Sequence, residues 1–338
     1  MIRLRAAALD TVEDVRAALQ RALQLELSTL PPYLYALYSV GSNDEARFRI
    51  RDIVLEEMVH VAIVSNVLNA IGGTPVVADA SVVPTYPGSL PDGIGDDGSA
   101  PFVVHLLPFS KSAMQQAMTI EEPEDPIEFT AALAATTFQT IGQFYAALRQ
   151  RLRALDPSVW VTPPRNQIDG STSFPGEFEI VANADDADKA LERIASQGEG
   201  TARSPLDFEL DIAHFYRFSE IERDQALEEA PDAPNGFVWG APLGIDWSAA
   251  VDAIADPSTH DFSQDPTAAA AQQACDQAYT RMLTELHHAF NGEPDRLGDA
   301  VGAMFELRQA AIDAFDTPLA GSTKSAGPAF RFLPPATG

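Results

Sequence analysis

The hydrophobic positions of this chain recur every three or four residues over most of its length, which is the spacing of amphipathic α-helices. Four long segments predict the helices of a bundle, and they lie at about 11–40, 44–71, 126–155 and 205–229. Two further helices are predicted within residues 267–316, one from Thr267 to Phe290 and one from Asp295 to Phe315. The pattern therefore predicts an all-α protein.

The first of these segments contains two adjacent prolines. Its apolar stripe is formed by Leu19, Leu23, Leu30, Tyr33 and Leu37. Pro31 and Pro32 deprive the carbonyls of Leu27 and Ser28 of their usual amide partners, so we predict a kink at this point. The kink lies one turn past Glu26, so it is one route by which water, dioxygen or a small substrate would reach a metal centre there. The alternative is that the prolines merely bend the helix around the core.

An insertion rich in proline and glycine, residues 74–125, separates the second and third helices. The remaining predicted elements are a strand at Phe102–Leu107, a short helix from Ser110 to Thr119, a strand around Phe178–Val181 and a short helix from Asp186 to Gln197. No fixed-period repeat divides the chain. We therefore predict a single elaborated domain over residues 1–338.

The chain is strongly acidic, with 49 Asp and Glu residues against 22 Lys and Arg residues and a formal net charge of -27. Nucleic acids and anionic membranes both require a basic surface, so this charge argues against either as a partner. Cys275 is the only cysteine, which excludes an internal disulfide, a thiolate metal cage and a redox pair.

Neither a membrane span nor a signal peptide is expected. Residues 58–78 carry no formal charge, but His60, two asparagines, two glycines and a proline interrupt the stretch. The apolar run before Asp10 is too short for a signal peptide. We therefore expect a soluble cytoplasmic protein.

Carboxylates and histidines occur at matched spacings inside the predicted helices. Glu26 lies on the apolar stripe of the first helix, where a carboxylate is costly unless something neutralises it. Glu57 and His60 are three residues apart on the second helix and therefore share one face. Asp211 and His214 repeat this spacing on the predicted fourth helix. Four-helix bundles use such a combination to hold two iron or manganese ions.

The residue types suit these metals because anionic oxygens balance their charge, while two imidazoles leave positions open for dioxygen or substrate. Alternatives remain for individual residues. Glu26 could pair with an arginine such as Arg21 or Arg203. Asp211 could orient its histidine neighbour instead of binding a metal. Glu56 is expected to be a solvated acid.

The predicted third helix lacks the carboxylate that a standard two-metal site requires. It has no acidic residue from Phe129 to Leu155 and offers Gln139 and Gln143, which we expect to hydrogen-bond or to contact substrate. Glu199 could supply the missing acid, because its two flanking glycines permit a close backbone approach. The alternative is that Glu199 is exposed at a helix end. We therefore expect fewer than two firmly bound metals per chain.

Eight segments together carry a family resemblance: LELSTLPPYLYALYSV, EEMVHVAIVSNVLNAIGG, PFSKSAMQQAMTIEEPED, TIGQFYAAL, FPGEF, QGEGT, HFYRFSEI and ELHHAFNG. They resemble the ferritin-like domain of iminophenylpyruvate dimer synthases, enzymes that couple imines of oxidised tryptophan in bisindole pigment pathways. The resemblance covers most of the chain. The family includes many stand-alone members with no assigned activity, and this chain is similar to those.

The resemblance implies a ferritin-like four-helix bundle with a small β-containing insertion and extra C-terminal helices. It implies the metal ligands Glu26, Glu57, His60, Glu199 and His214, with Asp211 in the position of the glutamate of a Glu-x-x-His pair. Two departures argue against a full two-metal site. Gln143 lies where family members often have glutamate, and Asp211 is shorter than glutamate.

We expect an iron-dependent oxidoreductase or oxidative coupling enzyme that uses dioxygen on a small aromatic or amino-acid-derived, imine-like molecule. Manganese and zinc are the alternative metals, and we expect one or two ions per chain. Tyr33, Tyr35, Tyr38 and Phe138 are candidates for the pocket wall, although aromatic residues at helical spacing also form ordinary core. The alternative functions are non-catalytic iron binding and a purely structural metal.

Overall fold

The computed structural model describes residues 4–5, 9–91, 102–122, 137–138, 141–169, 180–200, 204–233 and 236–334. Its helices are α1 (Val12–Tyr38), α2 (Asp44–Ala70), α3 (Lys111–Ile120), α4 (Ile141–Arg153), α5 (Ala184–Glu199), α6 (His214–Arg223), α7 (Pro266–Phe290) and α8 (Leu297–Phe315). Within these ranges, antiparallel strand pairs join β1 (Leu4–Arg5) to β4 (Thr137–Phe138), β2 (Gly88–Ser89) to β3 (Val103–Val104) and β5 (Leu227–Glu229) to β6 (Phe237–Trp239). The predicted all-α class is confirmed.

Helices α1 and α2 pack side by side and form the centre of the bundle. Two further pairs, α4 with α5 and α3 with α6, pack against them. Helices α7 and α8 pack on each other and also contact the central pair. One continuous apolar core contains side chains from all of these helices. The bundle therefore surrounds the central helices, which carry the predicted site residues Glu26, Glu57 and His60.

Helix α1 begins at a reciprocal cap and continues through its two prolines. The Thr11 hydroxyl accepts from the Asp14 amide at 3.1 Å, and the Asp14 carboxylate accepts from the Thr11 amide at 2.8 Å. Pro32 leaves the Ser28 carbonyl without its helical donor, and the Tyr86 hydroxyl donates to that carbonyl at 2.7 Å. A side chain from the insertion thus supplies the hydrogen bond that Pro32 cannot donate to the Ser28 carbonyl.

Helix α2 is long enough to cross a membrane, and it contains an 18-residue window that is apolar enough to do so by composition alone. However, 83% of this apolar window is buried inside the protein. Its polar side chains also bond internally, since the Asn66 amide donates to the Ile168 carbonyl at 2.8 Å and Asn69 donates to the Phe290 carbonyl at 2.8 Å. These are the contacts of a core helix.

The fourth predicted helix, 205–229, is wrong at both ends. Residues 205–213 form a loop with an isolated β-bridge between Leu206 and Ile212, so α6 begins only at His214. It ends at Asp224, whose backbone is left-handed with a φ of 56°. Helical spacing therefore does not apply to residues before α6.

The third predicted helix, 126–155, is represented by α4. Residues 126–136 and 139–140 lie outside the described residues, and 137–138 form β4. Of the predicted strand 178–181, residues 180–181 form no strand and the other two are not described. The first, second and C-terminal helices lie within a few residues of their predicted bounds, as does the helix of the insertion.

Candidate metal centre

Three glutamates and two histidines from four helices converge in the core. Two groups of three residues each bring their ligand atoms within 4.8 Å of one another. The first group is Glu26, Glu57 and His60, and the second is Glu57, Glu121 and His214. All five side chains are buried, with exposures of 0–5%. Glu57 belongs to both groups, so one carboxylate lies between two potential cation positions.

The first group joins α1 to α2. Glu57 and His60 are one helical turn apart on α2, and the distance from His60 Nδ1 to Glu57 Oε1 is 3.6 Å. His60 Nδ1 also lies 3.2 Å from Glu26 Oε2, which α1 supplies from its buried face. The tight packing of α1 on α2 therefore creates this group.

The second group adds α3 and α6 to the same glutamate. His214 Nδ1 lies 3.0 Å from Glu57 Oε1 and 3.8 Å from Glu121 Oε2. The His60 and His214 rings stack with their centroids 5.7 Å apart. His214 Nδ1 is buried and has no hydrogen-bond partner among the described residues. A bound cation would satisfy this nitrogen, so the residues present fit a metal.

The Nε2 nitrogen of each histidine has a hydrogen-bond partner outside the two ligand groups. His60 Nε2 lies 2.8 Å from Gln197 Oε1, and His214 Nε2 lies 2.7 Å from Glu56 Oε2. Both partner oxygens accept hydrogen bonds, so Nε2 of each ring carries the proton. Nδ1 of each ring is thus left facing the glutamates, the orientation that metal ligation by a neutral imidazole requires.

Each glutamate has one oxygen occupied by a neutral hydroxyl. Tyr145 donates to Glu26 Oε1, Thr29 donates to Glu57 Oε2 at 2.7 Å and Tyr33 donates to Glu121 Oε1 at 2.5 Å. Burial, with the charge of the adjoining carboxylates, raises the pKa of both phenols well above the usual value, so they remain donors. The second oxygen of each glutamate is left facing the histidines.

The electrostatics of the centre also favour a cation. Burial raises the pKa of Glu57, and the neighbouring carboxylates of Glu121 and Glu26 raise it further. Burial alone would lower the pKa of His214, but the carboxylates around it raise it well above the usual value. Protons thus compensate the charge of the metal-free cluster. Oxygen and imidazole donors without a thiolate suit iron, manganese or zinc.

A small cavity of about 20 Å³ reaches the centre. It is lined by Leu25, Glu26, Thr29, Glu57, His60, Glu121, Ile141, Ile194, Ala195, Gly198 and Glu199. This volume holds about one water-sized molecule. Pro31 and Pro32 are buried and do not line the cavity, which favours the alternative that they bend the helix around the core.

The structure brings together four of the six predicted ligands, Glu26, Glu57, His60 and His214. Glu199 lines the cavity but lies outside both ligand groups, and its Oε1 accepts from the Gly142 amide at 2.7 Å. Asp211 is exposed, and its own amide donates to Asp207 Oδ1 at 2.9 Å. Because the chain before α6 is not helical, Asp211 does not share a face with His214.

Sequence reasoning missed Glu121. It follows the last residue of α3 and extends that helix's buried stripe of Ala113, Met114 and Ala117. Glu121 is thus a carboxylate on an apolar helix face, which is the signal that identified Glu26. The missing acid comes from the insertion, and the expectation of fewer than two metals loses its structural basis.

The interpretation of Glu56 as a solvated acid is wrong. Arg217 Nη1 donates to both Glu56 oxygens, at 2.9 and 3.1 Å, in addition to the contact with His214. Burial alone would raise the pKa of Glu56, but the hydrogen bond from His214 and the charge of Arg217 lower it to about 2. Glu56 is therefore an ionised carboxylate that supports a candidate ligand.

Other expected roles also change. The described hydrogen-bond partners of Glu26 are Tyr145 and His60, and Arg203, one of the two arginines considered as alternative partners, is not described. The third bundle helix contributes Tyr145, a hydrogen-bond donor, instead of a carboxylate.

Among the aromatic residues expected at the pocket wall, only Tyr33 has a described contact with a candidate ligand. Tyr35 donates to the Ile254 carbonyl at 2.5 Å and packs against Phe315. Tyr38 is half-buried, and the side chain of Phe138 lies outside the described residues. Tyr35 therefore belongs to the ordinary core, the alternative that the sequence left open.

Comparisons with known proteins identify the family and the fold of the chain. A sequence profile described as ferritin-like matches residues 19–223, which is more than half of the chain. A ferritin-like protein from Caulobacter vibrioides, solved by crystallography at 1.95 Å resolution, has a TM-score of 0.66. It is 24% identical, and the alignment covers 96% of this chain and 99% of that one. At this identity the structural likeness shows a shared fold.

One relative has a named activity. The 2-imino-3-(indol-3-yl)propanoate dimerase of Chromobacterium violaceum is 24% identical over 275 residues, which cover 68% of this chain. The chain spans about a quarter of the length of that relative, 25% by alignment. The family resemblance that the sequence motifs indicated is confirmed by these matches.

Proposed function

The chain belongs to the ferritin-like family, and we propose that it is an oxidoreductase that holds two iron ions and uses dioxygen. One observation carries the proposal: Glu57 belongs to both ligand groups, so a single buried carboxylate is placed to bridge two cations. Purely structural metal sites are usually closed, whereas a cavity reaches this one. Iron is proposed because carboxylate and imidazole donors of this type hold it in other bundles.

When bound, the iron pair would supply the electrons and open coordination positions that dioxygen chemistry requires. The chain's own residues orient and enclose the site. Thr29, Tyr33 and Tyr145 fix the outer oxygens of the three glutamates, which turns the inner oxygens toward the histidines. Burial excludes water except through the cavity, where Glu199 adds a further carboxylate to the wall.

The proposed substrate is a small aromatic or amino-acid-derived imine. Support comes from the similarity to a protein named as a dimerase of an indolyl imino acid. Joining two such molecules by a new carbon–carbon bond removes two electrons and two protons, and dioxygen accepts both as hydrogen peroxide. An indole is larger than the cavity of about 20 Å³, so we place the substrate outside it.

Small molecules are the partners that we propose, because the net charge of -27 opposes nucleic acid and anionic membranes. A cytoplasmic location stays a prediction.

The experiment is to load the metal-free chain with ferrous iron under anaerobic conditions and then to add oxygen together with the imine. The imine is generated in place from tryptophan by an amino-acid oxidase, and reactions without the protein provide the baseline. Excess oxygen consumption over many turnovers, with a product of twice the imine mass less two hydrogens, supports the proposal. Ferric accumulation after one turnover indicates non-catalytic iron binding. No oxygen reaction, with a lower melting temperature on chelation, indicates a structural metal.

A further inference from the structure

We propose that the two halves of the centre are unequal: the His214 half holds its metal firmly, and the His60 half exchanges its metal and faces the reacting molecules. This inference rests on the proposed two-metal centre and adds a division of roles within it. It draws on the hydrogen-bond partner of Nε2 of each histidine and on the position of the cavity.

The hydrogen-bond partners of Nε2 differ in charge between the two histidines. His214 Nε2 donates to the carboxylate of Glu56 at 2.7 Å, whereas His60 Nε2 donates to the neutral amide of Gln197 at 2.8 Å. Hydrogen bonds to an ionised acceptor are roughly twice as strong as those between neutral groups. A carboxylate behind an imidazole also raises its basicity as a ligand, and such partners affect metal affinity by about 10- to 100-fold. His214 is therefore the stronger ligand.

Arg217 maintains the charge of Glu56. Its Nη1 donates to both oxygens of Glu56, so the carboxylate stays ionised and fixed in orientation. The arginine is itself buried, with 8% exposure, and its Nε donates to the Ile212 carbonyl. Because Arg217 balances the charge of Glu56, the advantage of the His214 half comes from a stronger oriented hydrogen bond and not from added net charge.

The cavity lies on the side of the other histidine. His60 and Glu26 line it together with Glu57 and Glu121 of the second ligand group, whereas His214 does not. Gln197 precedes Gly198 and Glu199, which form part of the cavity wall at the end of α5. A metal beside His60 would therefore be reached through the cavity.

Aromatic rings pack beside His214. The Tyr33 ring lies 4.9 Å from that of Phe218, one turn after His214 on α6, and both are buried. His214 is therefore covered by the core, and the firmer binding expected at this half rests on its stronger hydrogen bond to Glu56.

The test is a titration of the metal-free full chain with manganous ion under anaerobic conditions, with bound and free metal measured by electron paramagnetic resonance. We expect two steps, the first at least about tenfold tighter. Anomalous diffraction from crystals given one equivalent should place that ion beside His214. An ion beside His60, or two indistinguishable steps, would overturn the inference while leaving a two-metal centre. Failure to bind any metal would overturn the proposed function as well.

A reciprocal pair of variants isolates the cause. Glu56→Gln should weaken the tighter step about 10- to 100-fold, and Gln197→Glu should strengthen the weaker step. In the double variant, which exchanges the two partners, the order of filling should invert. If Gln197→Glu alone leaves the weaker step unchanged, the hydrogen-bond partners of Nε2 do not determine the order in which the two metal positions fill. That variant needs no disruption of the buried pair with Arg217.

Discussion

The phenol of Tyr33 donates a 2.5 Å hydrogen bond to Glu121, a residue 88 positions away at the end of α3. This contact links the central helix α1 to the insertion and holds one Glu121 oxygen away from the cluster. The other oxygen faces His214 Nδ1 at 3.8 Å. The insertion thus supplies one of the candidate metal ligands.

Glu121→Ala should reduce bound metal from two ions to one per chain, because it removes the acid that belongs to the second ligand group alone. Elemental analysis against protein concentration measures the ratio. Glu122→Gln is the matched control, since the next residue is exposed and its change should leave two ions bound. Equal metal content in the two variants would remove Glu121 from the site.

Asp211→Asn should leave metal content unchanged, because Asp211 is exposed and lies before α6 begins. His214→Ala should lose one ion, since it removes the only histidine of its ligand group. Elemental analysis of both variants makes the comparison. A loss of metal in Asp211→Asn equal to that in His214→Ala would support the ligand role that the resemblance implied.

Glu199→Gln should leave the stoichiometry intact but slow metal uptake several-fold, because a carboxylate in the cavity wall attracts cations. Stopped-flow mixing of the metal-free protein with cobaltous ion measures the rate. Glu192→Gln removes a charge from the same helix, at a residue that pairs with Arg149 at 2.9 Å, and serves as the control. Loss of one bound ion in Glu199→Gln would instead make Glu199 a ligand.

Tyr145→Phe should destabilise the metal-free protein by about 1–3 kcal/mol, because it leaves one oxygen of the buried Glu26 without its donor. Urea denaturation measures the free energy of unfolding. Tyr216→Phe is the control, since its half-exposed phenol should contribute no more than about 0.5 kcal/mol. Equal stabilities for the two variants would mean that the contact with Glu26 contributes nothing measurable.

The sequence predicted α1 and α2 well because their apolar stripes are long and regular, whereas the predicted fourth bundle helix was too long at both ends. It also identified Glu26, Glu57 and His60, because a carboxylate on an apolar stripe and a Glu-x-x-His pair are local patterns. It failed at Asp211, since helical spacing was assumed where the chain forms a bridge between Leu206 and Ile212.

The remaining site residues depend on tertiary contacts that spacing along the chain does not encode. Gln197 meets His60 across 137 positions, and Glu56 meets His214 across 158. Glu56 resembles a solvated acid until α6 places Arg217 beside it. Glu121 had a local signal on the stripe of α3, but nothing along the chain places the end of that helix beside His214.

We predict that Glu57 bridges two metal ions. Anomalous diffraction from crystals of the chain saturated with iron tests this prediction. The expected result is two ions about 3.5–4 Å apart, with Glu57 between them and Nδ1 of His60 and of His214 on one ion each. A single ion in the fully loaded protein, or ions bound by Asp211 or Glu199 in place of Glu121, would contradict it.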